Sequence, residues 1–311
     1  MTAHFHPSSD GLTSKKGLAQ GRLIGVLFLN LFITLAELAG GMLANSLALV
    51  SDAVHNFGDT LSIFVAWLAG RISDRDPDER KTYGYRRAEI LSALLNASVL
   101  IVICLFLLSE GWKRLMHPES VKGGLMVWIA VIGLAANFLS ILLLKKEKGK
   151  SLNIRAAYLH LLGDTLSSVA VVAGGILILF FRIYWIDPVL TLFISLYILK
   201  ETYEVLRQTV DILMQGTPRD LDLNRVQQVL EQIEGIDNIH HVHAWNLSDR
   251  EVHFECHVDL AEDIRVSESE KILNEVTEIL REQFGISHVT LQFEYNCCED
   301  KELLHSRREG K

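Results

Sequence analysis

The chain has 311 residues, a formal net charge of −8 and a mean hydropathy of +0.23, with 49% hydrophobic and 22% charged side chains. Those averages hide a split: residues 213–311 carry 10 basic against 21 acidic side chains, whereas residues 22–212 hold long apolar runs. An acidic tail argues against nucleic acid or an anionic surface as its partner and favours cations.

Residues 1–21 are polar, without an early apolar core, so they are expected to be a cytoplasmic tail and not a cleavable signal peptide. Six stretches then reach the ~20 residues needed to cross a bilayer: Arg22–Leu43, Ser46–Gly70, Ala88–Ser109, Gly124–Leu144, Asn153–Phe181 and Ile186–Leu206. Only Ala44-Asn45 separates the first two, which predicts a tight hairpin. Lys15, Lys16 and Arg22, then Arg71 through Arg87, then Lys145 through Arg155 fall on one side, so both termini are expected to be cytoplasmic.

Two of these stretches carry the same four-residue step. His55 and Asp59 lie in the second, His160 and Asp164 in the fifth. Residues four apart share a helical face, and ionisable groups at membrane depth rarely persist without a partner or a role. Both pairs come out ~10–15 Å from opposite surfaces of a ~30 Å core, so they can meet near its midplane. Two imidazoles and two carboxylates would make a four-ligand site suited to a tetrahedral divalent metal such as Zn²⁺. The competing reading is two structural hydrogen bonds that staple helices. Asp52, three residues before His55, reads as a relay, an acceptor or an interfacial residue; Glu37 reads as a buried hydrogen-bonding group.

The tail reads as a small α+β domain of order helix, strand, strand, helix, strand, over residues 213–311. Helices are expected at Asp220–Ile233, before the stop signal Gly235, and at Ser267–Phe284. Strands are expected at Asn238–Leu247, Glu251–Leu260 and Ile286–Tyr295. Alternation turns Val252, Phe254, Cys256, Val258 and Leu260 inward, and Val289, Leu291, Phe293 and Tyr295 with them. His257 and Glu294 then share the polar face, while His243 falls with Ile239 and Trp245 on the apolar one unless the register differs. His241, His253 and His305 read as solvated. The four cysteines, Cys104, Cys256 and Cys297–Cys298, make no disulfide framework and fit a reducing compartment; the adjacent pair adds candidate thiolate ligands.

Several stretches resemble the cation diffusion facilitator family of zinc-type transporters: GGMLANSLALVSDAVHNFGD (Gly40–Asp59), RKTYGYRRAEIL (Arg80–Leu91), NIRAAYLHLLGDTLSSV (Asn153–Val169) and HHVHAW (His240–Trp245). The resemblance implies a homodimer with six spans per protomer, a metallochaperone-like cytoplasmic domain and exchange of divalent metal for protons. It implies that His55, Asp59, His160 and Asp164 are the transport ligands, a set that accompanies zinc and often cadmium. It also implies a regulatory metal cluster in the tail, with His243, His257 and Glu294 as the foremost candidates and His240, His288, Cys297 and Cys298 as further ones. The loop Ile72–Tyr85 has no histidine and Lys145–Lys150 no His-rich run, which favours a bacterial efflux protein of the inner membrane.

An enzyme is disfavoured, because the chain has no HExxH run, nucleophile elbow or phosphate-binding loop. The remaining alternatives are a membrane metal sensor and a metal channel built on the same four ligands.

Overall fold

A computed structural model describes residues 29–145, 152–248, 251–296 and 301–303, apart from the side chains of residues 143–160. Six helices come first: α1 (Leu29–Ala44), α2 (Leu47–Ser73), α3 (Ala88–Met116), α4 (Gly123–Lys145), α5 (Leu152–Phe181) and α6 (Ile186–Leu213). They are followed by α7 (Leu223–Leu230), β1 (Ile236–Asn246), β2 (Val252–Leu260), α8 (Val266–Phe284) and β3 (His288–Glu294). The described chain divides into two compact units. One holds residues up to Val65 with Leu95–Glu204; the other holds Ala66–Leu94 with the residues from Val205 onward.

Among the described residues, three helical stretches are long and apolar enough to cross a membrane by composition: Ala88–Met116, Gly123–Leu142 and Leu161–Phe181. This is fewer than the six expected, for identifiable reasons. Helix α2 spans 27 residues, about 40 Å at 1.5 Å per residue, but Asp52, His55, Asn56 and Asp59 depress its hydropathy. Helix α6 spans 28 residues and turns polar after Lys200. Helix α1 is described only from Leu29.

The first unit inverts the pattern of a water-soluble protein. Glu37, Asp52, His55, Asn56, Asn137, Asp164, Ser168 and Asp187 are buried, whereas Phe32, Trp128, Leu166 and Phe180 are 62–73% exposed. Apolar outside and polar inside is stable only where the surrounding solvent is itself hydrocarbon. The chain is therefore an integral membrane protein. Small residues let its helices close up: a methyl group on Gly40 would sit 1.9 Å from Ile129 Cδ1 of α4.

The α1–α2 hairpin turns at Asn45, which takes a left-handed φ of 58°. Its side-chain amide donates to Glu119 Oε2 at 3.0 Å and to the Ser120 carbonyl at 3.2 Å. Directly after this turn, α2 begins against a fully buried carboxylate from α6. The Ser46 hydroxyl donates to Asp187 Oδ1 at 2.5 Å, and the Leu47 and Ala48 amides donate to the two carboxylate oxygens at 2.9 and 3.3 Å. A negative charge on otherwise orphaned N–H groups at a helix start is favourable both as hydrogen bonding and by the helix dipole.

In the second unit the sheet has order β1-β2-β3, with β1–β2 antiparallel and β2–β3 parallel. Helix α7 is shorter than expected and is capped by Asp222, whose carboxylate accepts from the Asn224 and Arg225 amides. Gly235 and Gly285 adopt the positive φ values of 94° and 67° at the two chain reversals. One face packs Val226, Leu230, Val276 and Leu280 against Ile239, Phe254, Cys256 and Val258. Two expectations fail. Tyr295 lies past the end of β3 and is exposed, and His253 is buried, its ring stacked on Trp245 with centroids 5.4 Å apart.

Asp187→Ala should remove the carboxylate from α2 and leave the Ser46 hydroxyl without its acceptor, at a cost of about 2 kcal/mol. Thermal unfolding of the purified protein should show a lowered midpoint, with Asp187→Asn falling between the two. A midpoint equal to that of the parent would contradict the role given to this contact.

Candidate metal centres

The first centre lies between α2 and α5. His55 Nε2 is 3.0 Å from Asp164 Oδ1 across the two helices and 3.9 Å from Asp59 Oδ2 one turn along its own helix. His55 and Asp164 are buried and Asp59 is half-buried, with its side chain 30% exposed. Ligands at about 2.1 Å from a tetrahedral zinc lie about 3.4 Å from one another, and these two separations bracket that value. The donor set of one nitrogen and two carboxylate oxygens thus fits a divalent cation. His160 precedes Asp164 by one turn of α5, and its side chain lies outside the described residues.

A polar layer behind these groups orients α2. The Asn56 amide donates to Glu37 Oε2 at 2.8 Å, and Asn30 donates to Thr60 Oγ1 at 3.1 Å. Asp52 is fully buried and accepts from Ser167 and Ser168 of α5 at 2.8 and 3.4 Å; Asn137 of α4 donates to Ser168 at 3.1 Å. Asp52 is therefore tied to α5, three residues from His55, and is not an interfacial group. The Tyr197 ring of α6 stands edge-on to His55, with centroids 6.1 Å apart. Sequence reasoning named Asp52 and Glu37 but not their partners, and it overlooked Asp187.

The second centre lies on the polar face of the sheet. His257 Nδ1 is 2.8 Å from Glu294 Oε1, and His240 Nε2 is 3.5 Å from Glu294 Oε2. Both ring nitrogens are buried and make no hydrogen bond. A buried imidazole nitrogen aimed at a carboxylate without a hydrogen bond is costly unless something fills the gap, so this donor set fits a metal ion as well. The register explains why His240 takes part. Between His240 and His243, β1 advances three residues while β2 advances two, from His257 to Glu255. His241 absorbs the extra residue at φ 51°, and the Val242 amide bonds to the Leu303 carbonyl at 2.8 Å. That shift moves His243 off the apolar face: it is exposed and paired across from Glu255, with Val242 and Ala244 buried instead.

Near this centre, the Lys301 ammonium 2.5 Å from Asp259 holds that carboxyl below its usual range. Cys256 sits in the apolar core, where burial pushes its thiol up to about 12 and keeps it protonated. Burial, and after it the nearby His288 and Arg86 charges, lowers the pKa of His253 and keeps it neutral. Cys297, Cys298 and His305 lie outside the described residues.

A bundle that buries carboxylates and an imidazole beneath a lipid-facing surface, joined to an acidic domain with its own histidine–carboxylate cluster, has the layout of a membrane cation carrier. Residues 23–214 match the cation efflux transmembrane domain, and residues 218–296 match the cation efflux protein cytoplasmic domain. The chain is 38% identical over 260 residues to the "Cadmium, cobalt and zinc/H(+)-K(+) antiporter" of Bacillus subtilis, covering 83% of each chain. It is 35% identical over 297 residues to the "Metal cation efflux system protein CzcD" of Cupriavidus metallidurans, covering 96% of this chain and 90% of the relative. It is also 35% identical over 298 residues to the "Zinc transporter ZitB" of Escherichia coli, covering 95% and 94%. The chain belongs to the cation efflux family: it is a membrane transporter and not an enzyme.

Proposed function

We propose that the chain exports Zn²⁺ from the cytoplasm in exchange for protons, with Cd²⁺ and Co²⁺ as further candidate cargo. It would act as a homodimer in a bacterial inner membrane with both termini cytoplasmic. Residues 22–212 would form the transport domain and residues 213–311 a regulatory and dimerising one. The observation that carries this reading is the approach of His55 to Asp164, with Asp59 alongside, in the buried layer between α2 and α5. The names of the Bacillus subtilis and Escherichia coli relatives support zinc as cargo, and that of the Cupriavidus metallidurans relative supports metal cation efflux.

His55, Asp59, His160 and Asp164 would be the ligands. Two carboxylates and two neutral imidazoles carry −2, which balances one divalent ion. A protonated imidazole offers no lone pair, so binding must release protons and acid must empty the site. With the outside more acidic than the cytoplasm, this linkage drives export. Asp52, held by Ser167 and Ser168, would keep α5 in register with α2 as the site loads and empties. On the sheet, His257 and Glu294 would hold a regulatory zinc, with His240 completing the cluster and His243 beside it.

Inside-out vesicles should take up zinc faster as their lumen is acidified, and a protonophore should abolish the acceleration. Asp59→Ala and Asp164→Ala should each reduce uptake to background while the protein stays folded in the membrane. Uptake that ignores the gradient would indicate a channel, zinc binding without flux a sensor, and near-normal flux in either variant would refute the ligand assignment.

The combined variant His257→Ala/Glu294→Ala should bind one zinc fewer per protomer by calorimetry and lose only part of its flux. Unchanged stoichiometry would refute the tail site, and complete loss of flux would refute its secondary rank.

A further inference from the structure

The loop from α2 to α3 closes over a cavity of about 580 Å³ within the second unit. Four cations line it, Arg80, Lys81, Arg86 and Arg87, and among the described residues no carboxylate does. The opposite wall is apolar, with Trp245 of β1 and Leu91 from the first turn of α3. Positive charge in cytoplasmic loops serves topology in general, but this loop is built and not merely charged. Asp78 accepts from the Arg80 and Lys81 amides at 2.8 and 2.9 Å and from the Tyr85 hydroxyl at 3.2 Å. Those bonds hold the Asp78 carboxyl below its usual range, so its charge is committed to the turn.

The walls are fixed as well. Trp245 stacks on His253, and Tyr83 meets that histidine edge-on at 5.3 Å. Glu251 pairs with Arg86, and Arg87 Nε is buried without a hydrogen-bond partner. The cavity is thus a pre-placed cluster of donors with an unfilled need for an anion.

Its depth says which anion. Leu91 belongs to the apolar run of α3 and is 54% exposed, so it faces lipid chains. At the end of α2, Arg71 lies over the Trp67 ring, 4.3 Å from its centroid. An arginine folded back on an interfacial tryptophan marks the headgroup level. A ligand in this cavity meets guanidinium groups on one side and lipid-facing side chains on the other. We infer that the α2–α3 loop binds an anionic phospholipid, its phosphate held by Arg80, Lys81 and Arg87 and its acyl chains running along Leu91.

Arg80 and Lys81 are exposed and bond Asp78 through their backbone amides, so Arg80→Gln/Lys81→Gln keeps those two bonds of the turn while removing the Lys81 ammonium from over the Tyr85 ring. The full-length protein in detergent is mixed with equal amounts of phosphatidylglycerol and phosphatidylcholine, and retained lipid is read by native mass spectrometry. The parent should retain phosphatidylglycerol preferentially. The double variant should lose that preference on the order of ten-fold, as expected for two basic side chains at an anionic lipid surface. Lys113→Gln/Lys122→Gln, which removes the same charge away from the cavity, should leave it unchanged. Absence of a preference in the parent overturns the inference, as does an unaltered preference in Arg80→Gln/Lys81→Gln or an equal loss in the control pair. Retention of inorganic phosphate without discrimination between the two lipids would make this a free-anion site and overturn the lipid assignment.

Discussion

A charge inside a bilayer cannot be shared with water, and the membrane unit is arranged around that restriction. His55 and Asp164 meet at 3.0 Å between α2 and α5, and both are buried. Removing one partner of a buried charged pair is in general costlier than replacing both. The layer behind the contact repeats the logic with neutral partners: Ser167 and Ser168 on Asp52, Asn56 on Glu37. Each ties α2 to a neighbour through a group that lipid could not satisfy. In hydrocarbon, where apolar contact gives no hydrophobic drive between helices, close packing at small residues and these polar ties hold the bundle.

That restriction is also what makes the site responsive. A cluster of carboxylates and imidazole in a poorly solvated place is stable when a cation or protons neutralise it, and unstable when bare. In the proposed exchange, metal and protons would therefore compete for one set of lone pairs. The tail domain works in a wetter setting, and its cluster reflects the difference. His257 is half-buried on the central strand of a three-stranded sheet, and under the proposed regulatory role an ion there would adjust the domain's packing without being the one carried.

How much of this the sequence discloses depends on the range of the interaction. The His55/Asp59 and His160/Asp164 steps are local, so the period of the helix exposes them at once. The hairpin at Ala44-Asn45 and the stop at Gly235 are local too, and the structure has a chain reversal at each. Partners that come from distant segments are hidden. Asp187 looks like the ordinary acidic start of α6, and only the fold reveals that it caps α2. The tail strands show the same limit: one extra residue at His241 reverses which neighbours face the core, so alternation put His243 with Ile239 when Val242 and Ala244 take that side. His253 read as solvated because alternation sees one strand; Trp245 of β1 and Tyr83 of the α2–α3 loop, which cover it, lie elsewhere in the chain. The spans of α2 and α6 show a further conflict, since the residues that give α2 its chemistry are the ones that dilute its apolar signal.

The central claim is that the two helical steps make one metal site. Zinc K-edge X-ray absorption on the full-length protein carrying His257→Ala/Glu294→Ala, loaded with one zinc per protomer, tests it most directly. The account predicts about four nitrogen and oxygen ligands near 2.0–2.1 Å with imidazole scattering, and loss of that shell in the added Asp164→Ala background. A shell of six longer oxygen contacts, or a spectrum that Asp164→Ala leaves untouched, would contradict it.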